Sequence, residues 1–318
     1  MLYPKHCHCP ESGIWYPELG SIIIMNLLPV KEHLKELLSK QLNTAISSIE
    51  LQAVGGGSIN ETYRVSFNAG QQFFLKLNSK TKFPGLFEKE KNGLDFLARH
   101  HCIQTPSVIF SATIDNYQLL LLHWIDRGIR NESFWQIFGE QLARLHHVND
   151  EHFGFVEDNF MGSLPQSNEP TIDWPTFFIH HRLQPQIEMA TARQLLQKTH
   201  TVAFESLFLK LNSVFDAVRP SLLHGDLWSG NFMCDERSLP VLIDPAVYFG
   251  HRSMDLAMTT LFGGFDKSFY ESYNYHFPFP SNYHEQWEIC NLYPLLIHLN
   301  LFGSSYLHQI TDTLNKFR

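Results

Sequence analysis

The chain has 318 residues, 44% hydrophobic and 18% charged, an ordinary globular composition that excludes an intrinsically disordered protein. A net charge of −8 excludes a surface built to coat nucleic acid or an anionic membrane, although local lysines and backbone N–H groups can still hold phosphate. An odd set of five cysteines (Cys7, Cys9, Cys102, Cys234 and Cys290) fits a reducing, cytoplasmic setting better than a disulfide framework, and no apolar run approaches the roughly 20 residues of a membrane span.

Residues 1 to 24 do not pattern like the rest. His6-Cys7-His8-Cys9 is too crowded for paired metal-ligand spacing, and no matching pair follows. The apolar stretch from Ser21 to Leu28 has no basic region of the signal-peptide kind before it. Val30, Leu34, Leu37, Leu38 and Leu42 then fall on one face of an amphipathic helix. Ile49 to Val54 reads as a strand, Gly55-Gly56-Gly57-Ser58 as a glycine loop, and Thr62 to Phe67 as a second, alternating strand. Strand, glycine loop, strand is the layout of a flap over a nucleotide, because glycine lets the backbone approach phosphates closely. A plain hairpin loop has the same pattern, and the run lacks the Gly-Lys of a Walker A motif.

Phe73 to Leu77 is a third strand with a single charge, Lys76, in an apolar run. Such a lysine either snorkels from an edge or pairs with nucleotide phosphates. Further on, Phe87, Glu90, Leu94 and Leu97 share one helical face, so Glu90 points inward with the apolar residues. An inward acid needs a partner, and Lys76 is the candidate. Ser107 to Ala112 and Gln118 to Leu122 supply two more strands, the second running apolar into His123-Trp124-Ile125. After Asp126 the pattern turns helical, beginning with Phe134, Phe138, Leu142 and Leu145 on one face. Residues 153 to 168, rich in Gly, Asn and Pro, read as a long ordered loop. Two or three helices follow between 174 and 218, and aromatic-rich helices finish the chain.

The most informative stretch runs from Leu222 to Asp244. Leu222-Leu223 is a short strand that turns out through His224-Gly225-Asp226; Asn231 comes five positions after that acid. A turn from Asp235 to Pro240 precedes Val241-Leu242-Ile243, which ends on Asp244, so the stretch reads as one small hairpin with its polar residues at the loop ends. An Asp and an Asn five apart, then an Asp at a strand end, is how protein kinases place a catalytic base and two Mg²⁺ ligands. The types suit the chemistry: a loop carboxylate takes a hydroxyl proton without a strongly raised pKa, and Mg²⁺ takes hard oxygen ligands.

LHGDLWSGN followed by IDPAVYFGHR and DLAM resembles the fructosamine kinases, or ketosamine-3-kinases, a branch of the aminoglycoside-phosphotransferase and choline-kinase group with a protein-kinase-like fold. Trp228 within HGDLWSGN points to this branch rather than to the antibiotic or choline enzymes. The resemblance implies an α+β, bilobal fold: a five-stranded antiparallel sheet with one inward helix in a small lobe at about 26–125, and a mainly helical lobe at 126–318. It begins near Met25, so residues 1–25 are expected to lie outside the fold, as a tail or as an extension upstream of the true start.

By the same resemblance the reaction is ATP-dependent phosphorylation of the 3-hydroxyl of a ketosamine, free or protein-bound. Asp226 serves as base, and Asn231 and Asp244 hold Mg²⁺. Lys76, held by Glu90, grips the phosphates under the Gly55–Ser58 flap, and the backbone of Leu122, His123 and Trp124 holds adenine. Some family members carry a redox-switch Cys in the flap; Ser58 stands there in this chain. Trp228 offers a flat face for a sugar ring or an amine substituent, and Asp158 and Asn159 fall in a segment that faces the sugar. His146 and Asp255 are expected to be structural, the latter bracing the catalytic loop. The competing readings are a same-fold kinase for another acceptor, a nucleotide-binding pseudokinase, and a hydrolase built on His224 and Asp226.

Overall fold

The computed structural model describes residues 27–55, 59–67 and 70–317. The expected N-terminal tail and Gly56, Gly57 and Ser58 lie outside the described residues. Helix α1 (Leu27–Gln41) leads into β1 (Glu50–Ala53), β2 (Glu61–Phe67) and β3 (Gln71–Ser79); then come α2 (Leu86–Arg99), β4 (Val108–Ile114) and β5 (Tyr117–His123). The five strands form one antiparallel sheet in the order β1-β2-β3-β5-β4.

Strand alternation decides what each helix meets. Leu75, Leu77, Leu119 and Leu121 pack with Val30, Leu34 and Leu38 of α1, whereas Leu120 and Leu122 pack with Leu86, Phe87 and Leu94 of α2. Because both faces are covered, β5 is apolar at successive positions rather than alternate ones. Lys76 lies between Leu75 and Leu77 and opposite Leu120, so the pleat turns it to the α2 face. That is the face that carries Glu90.

Beyond β5 the chain is mainly helical. Helix α3 (Phe134–His146) precedes a short antiparallel pair, β6 (Asn159–Met161) and β7 (Leu164–Gln166). The stretch read as a long ordered loop therefore contains a short hairpin, closed at Gly162 with φ of 61°. Next come α4 (Trp174–Phe178), a π-helical turn over Ile179–Leu183, α5 (Gln184–Ala192), α6 (Lys198–Phe208) and α7 (Leu211–Val214). The π turn has a local cause. Pro185 has no N–H to offer the His181 carbonyl, which instead accepts from Arg182 Nη1 at 2.8 Å.

Strands β8 (Ser221–Leu223), β9 (Phe232–Cys234), β10 (Pro240–Leu242) and β11 (Tyr248–Gly250) follow. Only β9 and β10 form the hairpin read from the sequence; β8 pairs with β11, the strand after Asp244. Helices α8 (Ser253–Leu261), α9 (Lys267–His276), α10 (Tyr283–Cys290), α11 (Leu292–Phe302) and α12 (Leu307–Lys316) complete the lobe around one aromatic-rich core. Among the described residues no helix is long and apolar enough to cross a membrane.

Candidate active site

Strand β8 delivers the chain to His224, and Gly225 makes the turn. Its φ is 86°, and a Cβ there would lie 2.0 Å from the Ala246 carbonyl oxygen, so only glycine fits. Two backbone donors of the turn, His224 N and Gly225 N, reach Asp255 Oδ2 at 2.7 Å and Oδ1 at 2.9 Å. Asp255 also faces His146 Nε2 at 3.2 Å, and the other ring nitrogen lies 2.8 Å from the Tyr273 hydroxyl. Burial lowers the His146 pKa, so the ring is neutral and structural.

His224 is equally buried, and burial pushes its pKa down. Its Nε2 meets the Ile243 carbonyl at 2.9 Å and its Nδ1 accepts from Asp226 N at 3.2 Å. Both nitrogens are spent on the loop, which leaves none to activate a nucleophile for a hydrolase.

Asp226 stands half-buried at the end of this turn. Asn231 Nδ2 donates to its Oδ2 and to its carbonyl, both at 2.8 Å. Burial pushes the Asp226 carboxyl up to about 7, against the Asn231 hydrogen bond and with added repulsion from Asp244 and Asp255. The value exceeds what the loop position alone suggests, because water reaches only part of the group. The hairpin then returns the chain to Asp244, tied by Ile243 N to the Asn231 carbonyl at 3.0 Å. Asp244 has φ of 55°, a left-handed conformation that a non-glycine residue holds only when its surroundings over-determine it.

Across the cleft, Lys76 Nζ lies 2.6 Å from both Glu90 Oε1 and Asp244 Oδ1. Lys76 and Glu90 are buried, whereas the Asp244 side chain is 44% exposed. Burial works against the Lys76 charge, but Asp244 and Glu90 outweigh it and hold the ammonium protonated. Burial pushes the Glu90 carboxyl up while the ammonium pulls it back. Of the two carboxyl groups, Asp244 is the one that opens to the cleft.

The remaining expected residues are less concentrated. Of the flap only Gly55 is described, but Ile59, at its far end, reaches the β6–β7 turn at Gly162. The N–H groups of His123 and Trp124 donate to the Ser107 and Gln72 carbonyls at 2.9 and 3.4 Å, so these donors are used within the sheet rather than free for an adenine edge. Leu122 is buried beneath them. Asp158 Oδ1 accepts from Asn168 N at 2.7 Å, and Asn159 Nδ2 donates to the Val247 carbonyl at 2.8 Å. The first contact closes the base of the hairpin, and the second braces it against the segment after Asp244. Trp228 is exposed beside the loop, two positions past Asp226.

A model of the fructosamine kinase family matches residues 30–318. The chain belongs to the fructosamine kinase family. Among its relatives is a "Probable ketoamine kinase" of Lactiplantibacillus plantarum, 39% identical over 81% of this chain and 90% of that one. The chloroplastic protein-ribulosamine 3-kinase of Arabidopsis thaliana is 33% identical over 95% of this chain and 91% of its own length. A solved structure from Thermobifida fusca, named as a candidate fructosamine-3-kinase, superposes with a TM-score of 0.80 at 30% identity, covering 89% of this chain and 98% of that one.

In this family member, a hard divalent ion fits the donor set. Asn231 commits its Nδ2 to Asp226, which turns its Oδ1 elsewhere, and Asp244 presents an exposed carboxylate. Among the described residues no three His, Cys, Asp or Glu side chains gather. Few protein oxygens, with the rest from phosphate and water, is the pattern Mg²⁺ takes.

Sequence reasoning missed one cluster. Glu157, in the loop before β6, accepts from Lys89 Nζ at 2.6 Å and Asn92 Nδ2 at 2.9 Å. These flank Glu90 on α2 and turn to the large lobe, as does Gly93, where a Cβ would sit 3.2 Å from Val247 Cγ2. Helix α2 is thus clamped between the sheet and the large lobe. No local pattern links position 157 to position 89, so the sequence carries no signal for it.

Proposed function

We propose that the chain transfers the γ-phosphoryl group of ATP, with Mg²⁺, to the 3-hydroxyl of a ketosamine, the adduct formed when glucose or ribose glycates an amine. The observation that carries this reading is the single ammonium of Lys76 held at 2.6 Å by both Glu90 and Asp244, above a loop that bonds Asp226 to Asn231. Lys76 moves from Asp244 to the nucleotide phosphates while Glu90 keeps its direction. Asn231 Oδ1 and Asp244 would hold Mg²⁺, which would supply charge neutralisation at the phosphates. Asp226 accepts the proton of the attacking 3-hydroxyl as the new O–P bond forms and ADP leaves. An elevated pKa makes it a better proton acceptor once ionised.

The ketosamine acceptor is supported by the family and by the names of the L. plantarum and Arabidopsis relatives. Phosphorylating the adduct destabilises it and frees the amine, which makes the reaction one of repair. Cys102, Cys234 and Cys290 are free thiols, in keeping with a cytoplasmic setting. The assembled polar set speaks against a pseudokinase. The test is ATP consumption with Mg²⁺ against a fructosamine, a ribulosamine, kanamycin and choline, with Asp226→Asn as control. Turnover of a ketosamine that is lost in the variant is expected. Turnover of kanamycin or choline alone would sink the acceptor assignment, and ATP binding without any turnover would sink the kinase.

A further inference from the structure

A row of rings starts at the catalytic loop and runs along the end of the large lobe. Trp228 meets Phe262 edge-on at 5.6 Å, and Phe262 meets His298 at 5.0 Å. His298 in turn meets Phe302 at 5.5 Å and Tyr306 at 5.0 Å. Trp228, Phe262 and Phe302 are 36%, 40% and 55% exposed. Three large rings open to water in one contiguous row form an apolar patch with no core to fill, the mark of a binding surface.

The row is held in place. The Trp228 ring packs against Gly230, where a Cβ would approach it to 2.3 Å. His298 Nδ1 is 2.7 Å from the Pro294 carbonyl, and burial lowers its pKa, so this ring is neutral. The row also borders the mouth of the cleft. Leu301, between His298 and Phe302 on α11, lies with Ile59 of the flap against the β6–β7 turn: a Cβ at Gly162 would be 3.3 Å from Leu301 Cδ1 and 3.6 Å from Ile59 Cδ1.

We propose that this row is the subsite for the substituent on the ketosamine nitrogen, and that it selects adducts of aromatic and other apolar amines. The inference rests on the ketosamine-kinase reading. With the 3-hydroxyl at Asp226, the nitrogen on C1 is two carbons from the reacting centre, so its substituent leaves the pocket beside the catalytic loop. Trp228 is the first surface it meets, and Phe262 and Phe302 continue that surface outward. The row contains no charged side chain to pair with the carboxylate of a free amino acid. A benzyl group gains ring contacts there, each worth roughly five-fold in affinity.

The experiment compares fructosyl-benzylamine, fructosyl-ethanolamine and fructosyl-lysine as acceptors with ATP and Mg²⁺, in the wild type, Phe262→Ala and Phe302→Ala. Tyr275→Ala, a still barer ring on α9, is the control. The wild type is expected to show a KM for the benzyl adduct roughly ten-fold below that for the ethanolamine adduct, with fructosyl-lysine no better than ethanolamine. Either phenylalanine variant cuts that ratio about five-fold, and the control leaves it. Equal KM values in the wild type, or a ratio unmoved in both variants, overturns the subsite while the kinase reading stands. Calorimetric binding of the same adducts without nucleotide separates the two ideas. If no adduct is phosphorylated but the benzyl adduct binds more tightly and Phe302→Ala weakens it, the row stands and the reaction falls. If no adduct binds or turns over, both fall.

Discussion

Asp226→Asn should slow catalysis sharply and yet stabilise the fold, in a pH-dependent way. Burial moves the carboxyl from its ordinary 3.8 to about 7. Because the folded pKa is raised, the unfolded chain releases this proton near pH 4 while the folded chain keeps it to about pH 7. Wild-type stability from this group is therefore intact at low pH, declines as pH rises between those values, and is lowest above pH 7. A shift of about three units corresponds to ~4 kcal/mol at full burial. Asp226 is half-buried, so solvent screening reduces that to about 2 kcal/mol. Asparagine removes the charge but retains an oxygen to accept from Asn231 Nδ2. In thermal melts of metal- and nucleotide-free protein, the variant should exceed the wild type by roughly 4 °C at about pH 8 and match it near pH 4. Its turnover should fall by about 10² to 10⁴. A stability gap of equal size at both pH values, or none at either, would falsify the view that a desolvated carboxylate is held here at a cost.

The same group should set the pH profile of the wild type: kcat/KM rises with pH through a midpoint near 7 as Asp226 ionises, and a flat profile from roughly pH 5.5 to 8.5 counts against Asp226 as the base. Glu157→Gln removes the charge that meets Lys89 and loosens α2, so the KM for ATP should rise about five-fold with the ketosamine KM unchanged; a rise in both refutes the clamp's specific role in holding Glu90. Gly225→Ala places a Cβ 2.0 Å from the Ala246 carbonyl, and should cost about 3 kcal/mol or more with loss of activity. A soluble, active variant with an unchanged melting temperature would show that the turn relaxes more easily than its contacts imply.

What the sequence determined by itself is whatever depends on spacing within one element or one short loop. The face of α1, the apolar run of β5 and the inward placement of Glu90 follow from helix and strand periods, which every residue carries locally. The turn at Gly225 and the interval from Asp226 to Asn231 are likewise local, and the family motif lies in that stretch. What the tertiary structure decided is everything that joins distant segments. Pairing of β8 with β11 rather than β9 depends on which strand edges meet once the core has packed. Lys76 was legible as a partner of Glu90, but its second partner, Asp244, comes from another lobe 168 positions away. The bonds from His123 and Trp124 N–H to the Ser107 and Gln72 carbonyls are likewise tertiary, because a sequence does not show which backbone groups a neighbouring segment consumes. Glu157, the buried ring of His224, and the row from Trp228 to Phe302 emerged for the same reason. A side chain's chemistry is written in its identity, but its partners, its desolvation and its exposure are set by the packing of the whole chain.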